Sequence, residues 1–378
     1  INYIRNLSFD EEDINYLRKQ NKFSEEFLNY LENFRCTGDI WVIPEGTVVF
    51  PNEPLITVKA PIIQAQLLET MLLLTTNHQS LIATKTSRIV KEAQGRPVME
   101  FGARRAHGIN AAVEGARAAI IGGAVGTSCT LSAKEFNVPA SGTMAHSWIQ
   151  SFDSEYEAFK AYAELYPDDC TFLIDTYNTI ESGLPNAIKV FNEVLKPKGY
   201  RPKAVRLDSG DLAYLSKKVR KILDETGYED CKICATNSLD EYLIKSLIEQ
   251  DAKIDLFGVG ENLITAKSEP VFGGVYKLVA LEKDKKIVPK IKVSENTAKV
   301  TNPSVKKVYR FYDNETKKAI ADVITLADEI IDEREYMIFD PQNPWKKKVL
   351  KDYSIRLLQE KISVSYTHLR AHETPEHL

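Results

Sequence analysis

Cysteine is scarce in this chain: Cys36, Cys129, Cys170, Cys231 and Cys234 are the only five among 378 residues. So sparse and odd-numbered a set argues against a disulfide framework and for a reducing cytoplasm. Long apolar runs are missing as well. No stretch approaches the roughly 18 residues a membrane helix needs, and no basic–apolar–small leader opens the chain. The first residue is Ile1 rather than Met, so an upstream start is expected. Charge of one sign is lacking too, with 49 Lys and Arg against 53 Asp and Glu and a formal net charge of −4. That balance gives no dominant nucleic-acid footprint, only room for local basic patches. Glycine (18) and proline (16) are ordinary in number, which removes collagen-like and low-complexity readings. There is no G-x-x-x-x-G-K-[ST] loop, no G-x-G-x-x-G fingerprint and no H-E-x-x-H. Cys231-Lys232-Ile233-Cys234 is a solitary pair that cannot complete a structural zinc site, and it reads as small buried hydrophobes.

What is present is a change of rhythm along the chain. Residues 1–95 read as an incomplete mixed segment, with helical periodicity over 25–34 and 64–74 and short strands between residues 41 and 58, where Pro44, Gly46, Pro51, Asn52 and Pro54 crowd. Over 96–272, short apolar runs alternate with helix-period stretches. The strands expected are 98–101, 138–141, 172–175, 204–207, 232–235 and 254–259, with a Gly-rich run at 122–126. Ser154 with Glu157, and Ser238 with Glu241, read as helix caps. Roughly seven alternations imply a parallel sheet with helical crossovers. A closed or nearly closed barrel is favoured over an open doubly wound sheet, since so many units fall in about 160 residues. Residues 273–362 turn to β pattern, with hairpins expected around 282–286 and 313–318. Their lysines (Lys283, Lys285, Lys286, Lys306, Lys307) read as solvated edges. The tail, 363–378, has neither period. Its His372-Glu373 and His377 miss zincin spacing, and Pro375 breaks the helix such a site needs.

Parallel strands bring ligands to their carboxyl ends. Those ends carry Arg104 and Arg105; Thr127; Thr143 and His146; Asp175, Thr176 and Asn178; Arg206, Asp208, Ser209 and Gly210; Thr236; and Gly258 and Gly260. The arginines offer planar forks for carboxylate or phosphate, although any one alone is more often an ion-pair partner. The glycines suit phosphate cradles at helix starts, or simply tight turns. Asp208 suits ribose hydroxyls or a metal-bound diphosphate, with the cap of the next helix as the plain alternative. His146 suits a general base, a ligand or a phosphoryl acceptor, with a purely structural histidine as the plain alternative. From residues alone this is an α/β enzyme that handles phosphate and other anions.

The blocks Gly142–Trp148 (GTMAHSW), Val205–Leu212 (VRLDSGDL), Phe257–Gly260 (FGVG) and Gly273–Leu278 (GGVYKL), with Pro44–Thr47, Gln79–Lys85 and Glu100–Arg105, resemble nicotinate phosphoribosyltransferases in order and spacing. The match runs from about residue 5 to about 362. The resemblance implies an irregular (β/α) barrel with a β-rich domain formed from segments before and after it. It also implies ATP-driven joining of nicotinate to phosphoribosyl diphosphate, with Mg²⁺, in a cytoplasmic homodimer that uses neither nucleic acid nor membrane. By the same resemblance His146 is the phosphorylated histidine, acting with Asp208 in catalysis. Thr143, Arg206, Arg104 and Arg105 hold nicotinate. Ser209, Gly210, Gly258, Gly260, Thr265 and Asp175 hold phosphoribosyl diphosphate, and no side chains form a dedicated metal cage. A related nicotinamide or quinolinate enzyme and an inactive truncated scaffold are the alternatives. An aldolase-type barrel would want a lysine at a strand end, and those ends carry none. The family's nicotinate-stacking Tyr has no counterpart before Asn6, which predicts weak nicotinate binding and low stability for this chain alone.

Overall fold

Six apolar runs of two to four residues line up as one all-parallel sheet in the computed structural model, which describes residues 2–293, 301–332, 334–341 and 343–363. They are β1 (Val98–Glu100), β2 (Gly126–Thr127), β3 (Thr171–Leu173), β4 (Ala204–Leu207), β5 (Lys232–Ala235) and β6 (Leu256–Val259). Nearly every residue in them is buried, as strands covered on both faces require. Their spatial order is β2-β1-β6-β5-β4-β3. The first strand therefore pairs with the last, in the register Val98↔Phe257 and Glu100↔Val259. A doubly wound sheet has no such closure; a barrel demands it. The circle lacks only a β2–β3 pairing. There the expected strand 138–141 shrinks to one bridge, Thr127↔Ala140. Pro139 offers its carbonyl to the Thr127 N–H (3.0 Å) but has no N–H of its own with which to extend the ladder. The result is an irregular, incompletely closed barrel.

This barrel belongs to a unit spanning Leu74–Gly274. Its interior includes a file of stacked rings, Phe159 on Phe172 (4.6 Å) and Phe172 on Phe191 (5.4 Å). Cys231 and Cys234 are buried and free, and burial pushes both thiols up to about 12, in keeping with an inert packing role. The Ser154 hydroxyl caps its helix by accepting from Glu157 N–H. The other expected cap moves: helix Glu241–Glu249 is capped by Asp240, whose side chain accepts from Leu243 N–H (2.8 Å), while Ser238 has φ +51° and cannot serve. The helix expected near 188–195 is a longer run in which π-helical turns Thr179–Gly183 and Phe191–Leu195 flank the α-helix Leu184–Val190. The helix expected over 64–74 is likewise longer, Ile62–Glu92.

The second unit comprises Ile1–Leu73 and Val275–Leu378. In one of its sheets strand Asp39–Val42 lies between Ile56–Lys59 and Glu360–Ser363, both antiparallel to it. Strands Lys306–Asp313 and Ala319–Leu326 form the second expected hairpin. The first is tighter than the sequence suggested: Ala280–Lys283 and Lys286–Pro289 turn on Asp284 and Lys285, both at positive φ. Lys283, Lys285 and Lys286 are exposed, but Lys306 is not a solvated edge residue. It is half-buried, and its ammonium donates to the carbonyls of Asn302 (2.6 Å) and Ser304 (2.8 Å). The tail His372, Glu373 and His377 lie outside the described residues.

Candidate active site

Strand β4 delivers Arg206 to the carboxyl-terminal mouth of the barrel and leads directly into Asp208-Ser209-Gly210-Asp211. Which aspartate caps the following helix decides what the other is free to do. Asp211 is the cap of Leu212–Glu225, its carboxylate accepting from Tyr214 N–H (3.0 Å). Asp208 is released to the mouth, and Gly210 makes the intervening turn at φ +76°, a conformation that suits glycine.

Arg206 organises the cluster. Its Nε donates to Thr236 Oγ1 (2.9 Å), Nη1 to Thr143 Oγ1 (2.7 Å) and Nη2 to Asp208 Oδ1 (3.0 Å). The Thr236 hydroxyl in turn donates to Asp208 Oδ1. His146, first residue of the helix His146–Gln150, places Nε2 3.5 Å from Asp208 Oδ2 and Nδ1 3.1 Å from Thr176 Oγ1. A proton on Nε2, facing the carboxylate, leaves Nδ1 to accept from the Thr176 hydroxyl. Burial alone would raise the Asp208 carboxyl. The Thr236 bond and the Arg206 charge outweigh burial and hold it below the usual range, so it is an anion at neutral pH.

Asp175, at the end of β3, is buried. Its Oδ2 accepts from Asp208 N–H (2.7 Å) and Ser209 Oγ (2.6 Å), fixing the start of the Asp208–Gly210 turn. Its Oδ1 is buried without a partner among the described residues. Such an atom is costly unless a ligand or water meets it.

The neighbouring rim is built by close backbone approach. A Cβ on Gly258 would sit 2.5 Å from the Phe101 ring and 2.7 Å from Thr236 Cγ2, and one on Gly102 would sit 2.6 Å from the Gly260 carbonyl oxygen. These glycines let the ends of β1 and β6 meet, a packing reason that stands beside any role in holding phosphate. Glu100, wholly buried, accepts from Gly102 N–H and from Thr127 Oγ1 (2.6 Å), fixing the turn Ala103–Arg105. Burial raises its carboxyl against those two bonds.

The structure thus brings Thr143, His146, Asp175, Arg206, Asp208 and Ser209 into one hydrogen-bonded group. Arg104, Arg105 and Thr265 are not part of it. Both arginines are exposed, Arg105 Nε lies 3.8 Å from Glu261, and the Thr265 hydroxyl donates to the Glu261 carbonyl in its own helix. Among the described residues none of the three has a hydrogen bond or ion pair to the Arg206–Asp208 group. Thr236 and Thr176 went unassigned in the sequence, although each follows a buried strand by one to three residues. No group of three or more His, Cys, Asp or Glu is disposed to hold a metal ion among the described residues. Magnesium commonly binds through one or two carboxylates plus substrate phosphates. Asp175, with its unpartnered oxygen, fits an ion carried in on a diphosphate better than a protein-built cage.

Comparison with known proteins bears on the chain as a whole. Residues 97–326 match the nicotinate phosphoribosyltransferase (NAPRTase) family, residues 1–77 the N-terminal domain of that enzyme and residues 305–371 its C-terminal domain. A nicotinate phosphoribosyltransferase of Bacillus subtilis is 46% identical over 363 residues, covering 96% of this chain and 74% of its own length. One from Mycobacterium tuberculosis is 46% identical over 312 residues, covering 82% and 65%. The crystal structure of human nicotinic acid phosphoribosyltransferase superposes with a TM-score of 0.82 at 24% identity, over 95% of this chain and 79% of that one, a likeness of fold. No helix among the described residues is long and apolar enough to cross a membrane.

Proposed function

The chain belongs to the nicotinate phosphoribosyltransferase family, a family of enzymes, and from that premise we propose that it joins nicotinate to 5-phosphoribosyl 1-diphosphate. The products are nicotinate mononucleotide and diphosphate, and the reaction serves NAD salvage from nicotinate. One observation carries the reading at the level of atoms. Arg206 has five N–H groups, and three are committed to Thr236, Thr143 and Asp208. Among the described residues two remain without a partner, one on each terminal nitrogen, and together they form a donor pair that a planar carboxylate can take.

In the reaction the pyridine nitrogen attacks C1 of the ribose while the C1–O bond to diphosphate breaks and its electrons leave with the diphosphate. Positive charge develops at C1 and the ring oxygen, as in glycoside chemistry. Arg206 and Thr143 orient the nicotinate carboxylate, with Arg104 and Arg105 on the rim beside the ring. Asp208, kept ionised, holds the ribose and faces the growing charge. Ser209 and Gly210, with Gly258 and Gly260, hold the sugar phosphate, and Asp175 braces the Asp208–Ser209 turn that presents them. Asp175, with its unpartnered oxygen, would hold a magnesium ion arriving with the diphosphate, and such an ion would supply charge neutralisation to the leaving group.

ATP is the proposed co-substrate, its terminal phosphoryl passing to His146 and later to water. Both ring nitrogens have partners, so phosphorylation replaces either the Thr176 or the Asp208 contact. It adds about −1.5 to −2 charge beside an ionised carboxylate, by analogy with other phosphorylated side chains. A charge of that size reshapes how the mouth holds diphosphate, which couples ATP hydrolysis to product formation. The same reading places the chain in the cytoplasm as a homodimer, and its five free thiols support a reducing compartment.

The test is diphosphate release with nicotinate, nicotinamide or quinolinate as acceptor, with and without ATP. Turnover with nicotinate and phosphoribosyl diphosphate, stimulated by ATP, is expected. Preference for another acceptor, or no release with any, overturns the reading.

A further inference from the structure

We propose that the π-helical turn Thr179–Gly183 is the device that positions Asp175, with Gly183 and Ser182 as positioning residues outside the site. This rests on the functional reading above. Gly183 sits in ordinary helical backbone (φ −58°, ψ −54°), so its lack of a side chain is not a matter of conformational freedom. The reason is contact. A Cβ at Gly183 would lie 1.8 Å from the carbonyl oxygen of Ile174, the residue before Asp175. Backbone cannot swing aside as a side chain can, so the strand end would have to retreat by about 1.2 Å to reach even the 3.0 Å floor seen for real Cβ contacts.

The widened turn is what brings Gly183 there. Its N–H donates to the Asn178 carbonyl (2.8 Å), a five-residue spacing, and the Asn178 side chain accepts from Ile180 N–H (3.0 Å) and Glu181 N–H (2.9 Å). Single π turns of this kind occur often at functional sites. On its far side the turn is tied down by the Ser182 hydroxyl, which donates to Glu155 Oε2. Glu155 is 3% exposed, and its other oxygen has no partner among the described residues, so the Ser182 bond is what satisfies this buried carboxylate. A chain of contacts thus runs from Glu155 through Ser182 and Gly183 to Ile174 and Asp175. It ends on the Asp208 N–H and the Ser209 hydroxyl.

The experiment uses the full chain with Gly183→Ala and Ser182→Ala, measuring KM for each substrate, kcat and the thermal melt. A displacement near 1 Å costs about 100-fold in rate, so Gly183→Ala should lower kcat/KM for phosphoribosyl diphosphate by about that factor. Ser182→Ala should raise KM for phosphoribosyl diphosphate about 3-fold or more and leave KM for nicotinate unchanged, whereas lost stability alone would lower the melt and move neither KM. Glu155→Gln, which can still accept from Ser182, should behave as the parent. A folded Gly183→Ala with parental KM and kcat overturns the proposal. Should that variant not fold, an unchanged KM in Ser182→Ala overturns it instead. A parent chain without turnover refutes the functional reading, and a crystal structure of Gly183→Ala then decides positioning: Asp175 Oδ2 withdrawn from Asp208 N supports it, and an unmoved Asp175 ends it.

Discussion

Replacing Arg206 by Lys separates charge from geometry at the centre of the site. The substitution keeps a cation beside Asp208 but exchanges a planar fork for a single ammonium. In the native chain three nitrogens of Arg206 reach three different side chains, at 2.9, 2.7 and 3.0 Å. One Lys nitrogen cannot span Thr236, Thr143 and Asp208 and also present a donor pair to nicotinate. The ion pair with Asp208 is the contact it can best keep. At about 1.5–3 kcal/mol for a hydrogen bond to a charged group, losing the pair aimed at nicotinate costs about 2.7 kcal/mol, or two decades. Arg206→Lys should therefore lower kcat/KM for nicotinate about 100-fold, chiefly through KM, and move KM for phosphoribosyl diphosphate less than about 3-fold. The melting temperature should change little, since Asp208 retains Thr236 and a nearby cation. Initial-rate diphosphate release at varied nicotinate, with a parallel melt, measures both. A variant with parental KM for nicotinate would show that the carboxylate is held elsewhere, and the assignment of Arg206 would be withdrawn.

The remaining predictions concern charge placed elsewhere. His146→Asn should abolish the stimulation by ATP and the acid-labile label left by ATP labelled on its terminal phosphate, while slow ATP-independent turnover persists; label retained in the variant excludes His146 as the acceptor. Lys85 and Glu241 form an ion pair at 2.6 Å with side chains only 4% and 7% exposed, and Lys85 also donates to Ser268 Oγ. Lys85→Met strands the carboxylate at a cost of about 3–5 kcal/mol, or about 10 °C in the melt for a domain of this size. The double variant with Glu241→Leu should recover most of that loss, and additive losses would contradict the pairing. Glu53 is pushed up to about 7 by burial, opposed by Phe50 N–H, and by the adjacent Asp322 carboxyl that shares Arg310. Its folded state holds the proton more tightly than its ordinary value of 4.5, so the associated stability is complete below about 4.5 and drains away as pH rises to about 7. Glu53→Gln should flatten the fall in melting temperature between pH 5 and 8, and parallel slopes in parent and variant would refute the assignment.

The strands Ala204–Leu207 and Lys232–Ala235 were legible in the sequence to the residue. Each is a short apolar run between polar or turn residues, and burial on both faces leaves little ambiguity. The run 138–141 reads the same way and fails because Pro139 limits it to one bridge, a matter of who must donate to the ladder rather than of hydropathy. The sequence predicts only the 64–74 part of helix Ile62–Glu92, because Asn77-His78-Gln79-Ser80 interrupts its apolar stripe. Tertiary partners restore it there: Gln79 bonds both Glu114 and Arg117.

The candidates at the mouth could be named from the sequence for a topological reason. In a ring of parallel strands every carboxyl end faces one mouth, so naming the strand ends names the candidates before any coordinate is known. What sequence position cannot do is choose among neighbours that share a chemistry. Asp208 reads from the sequence as a cap for the next helix as readily as a ligand group; Asp211 takes that cap by bonding Tyr214, and only that contact frees Asp208 for Arg206, Thr236 and His146. Thr236 carries no motif, yet it joins Arg206 to Asp208. Gly183 looks like an ordinary helix interruption, and its meaning lies entirely in the Ile174 carbonyl it touches. Residues that act on substrate are readable as chemistry at a strand end. Those that act by holding another residue become readable only when the contact itself is known.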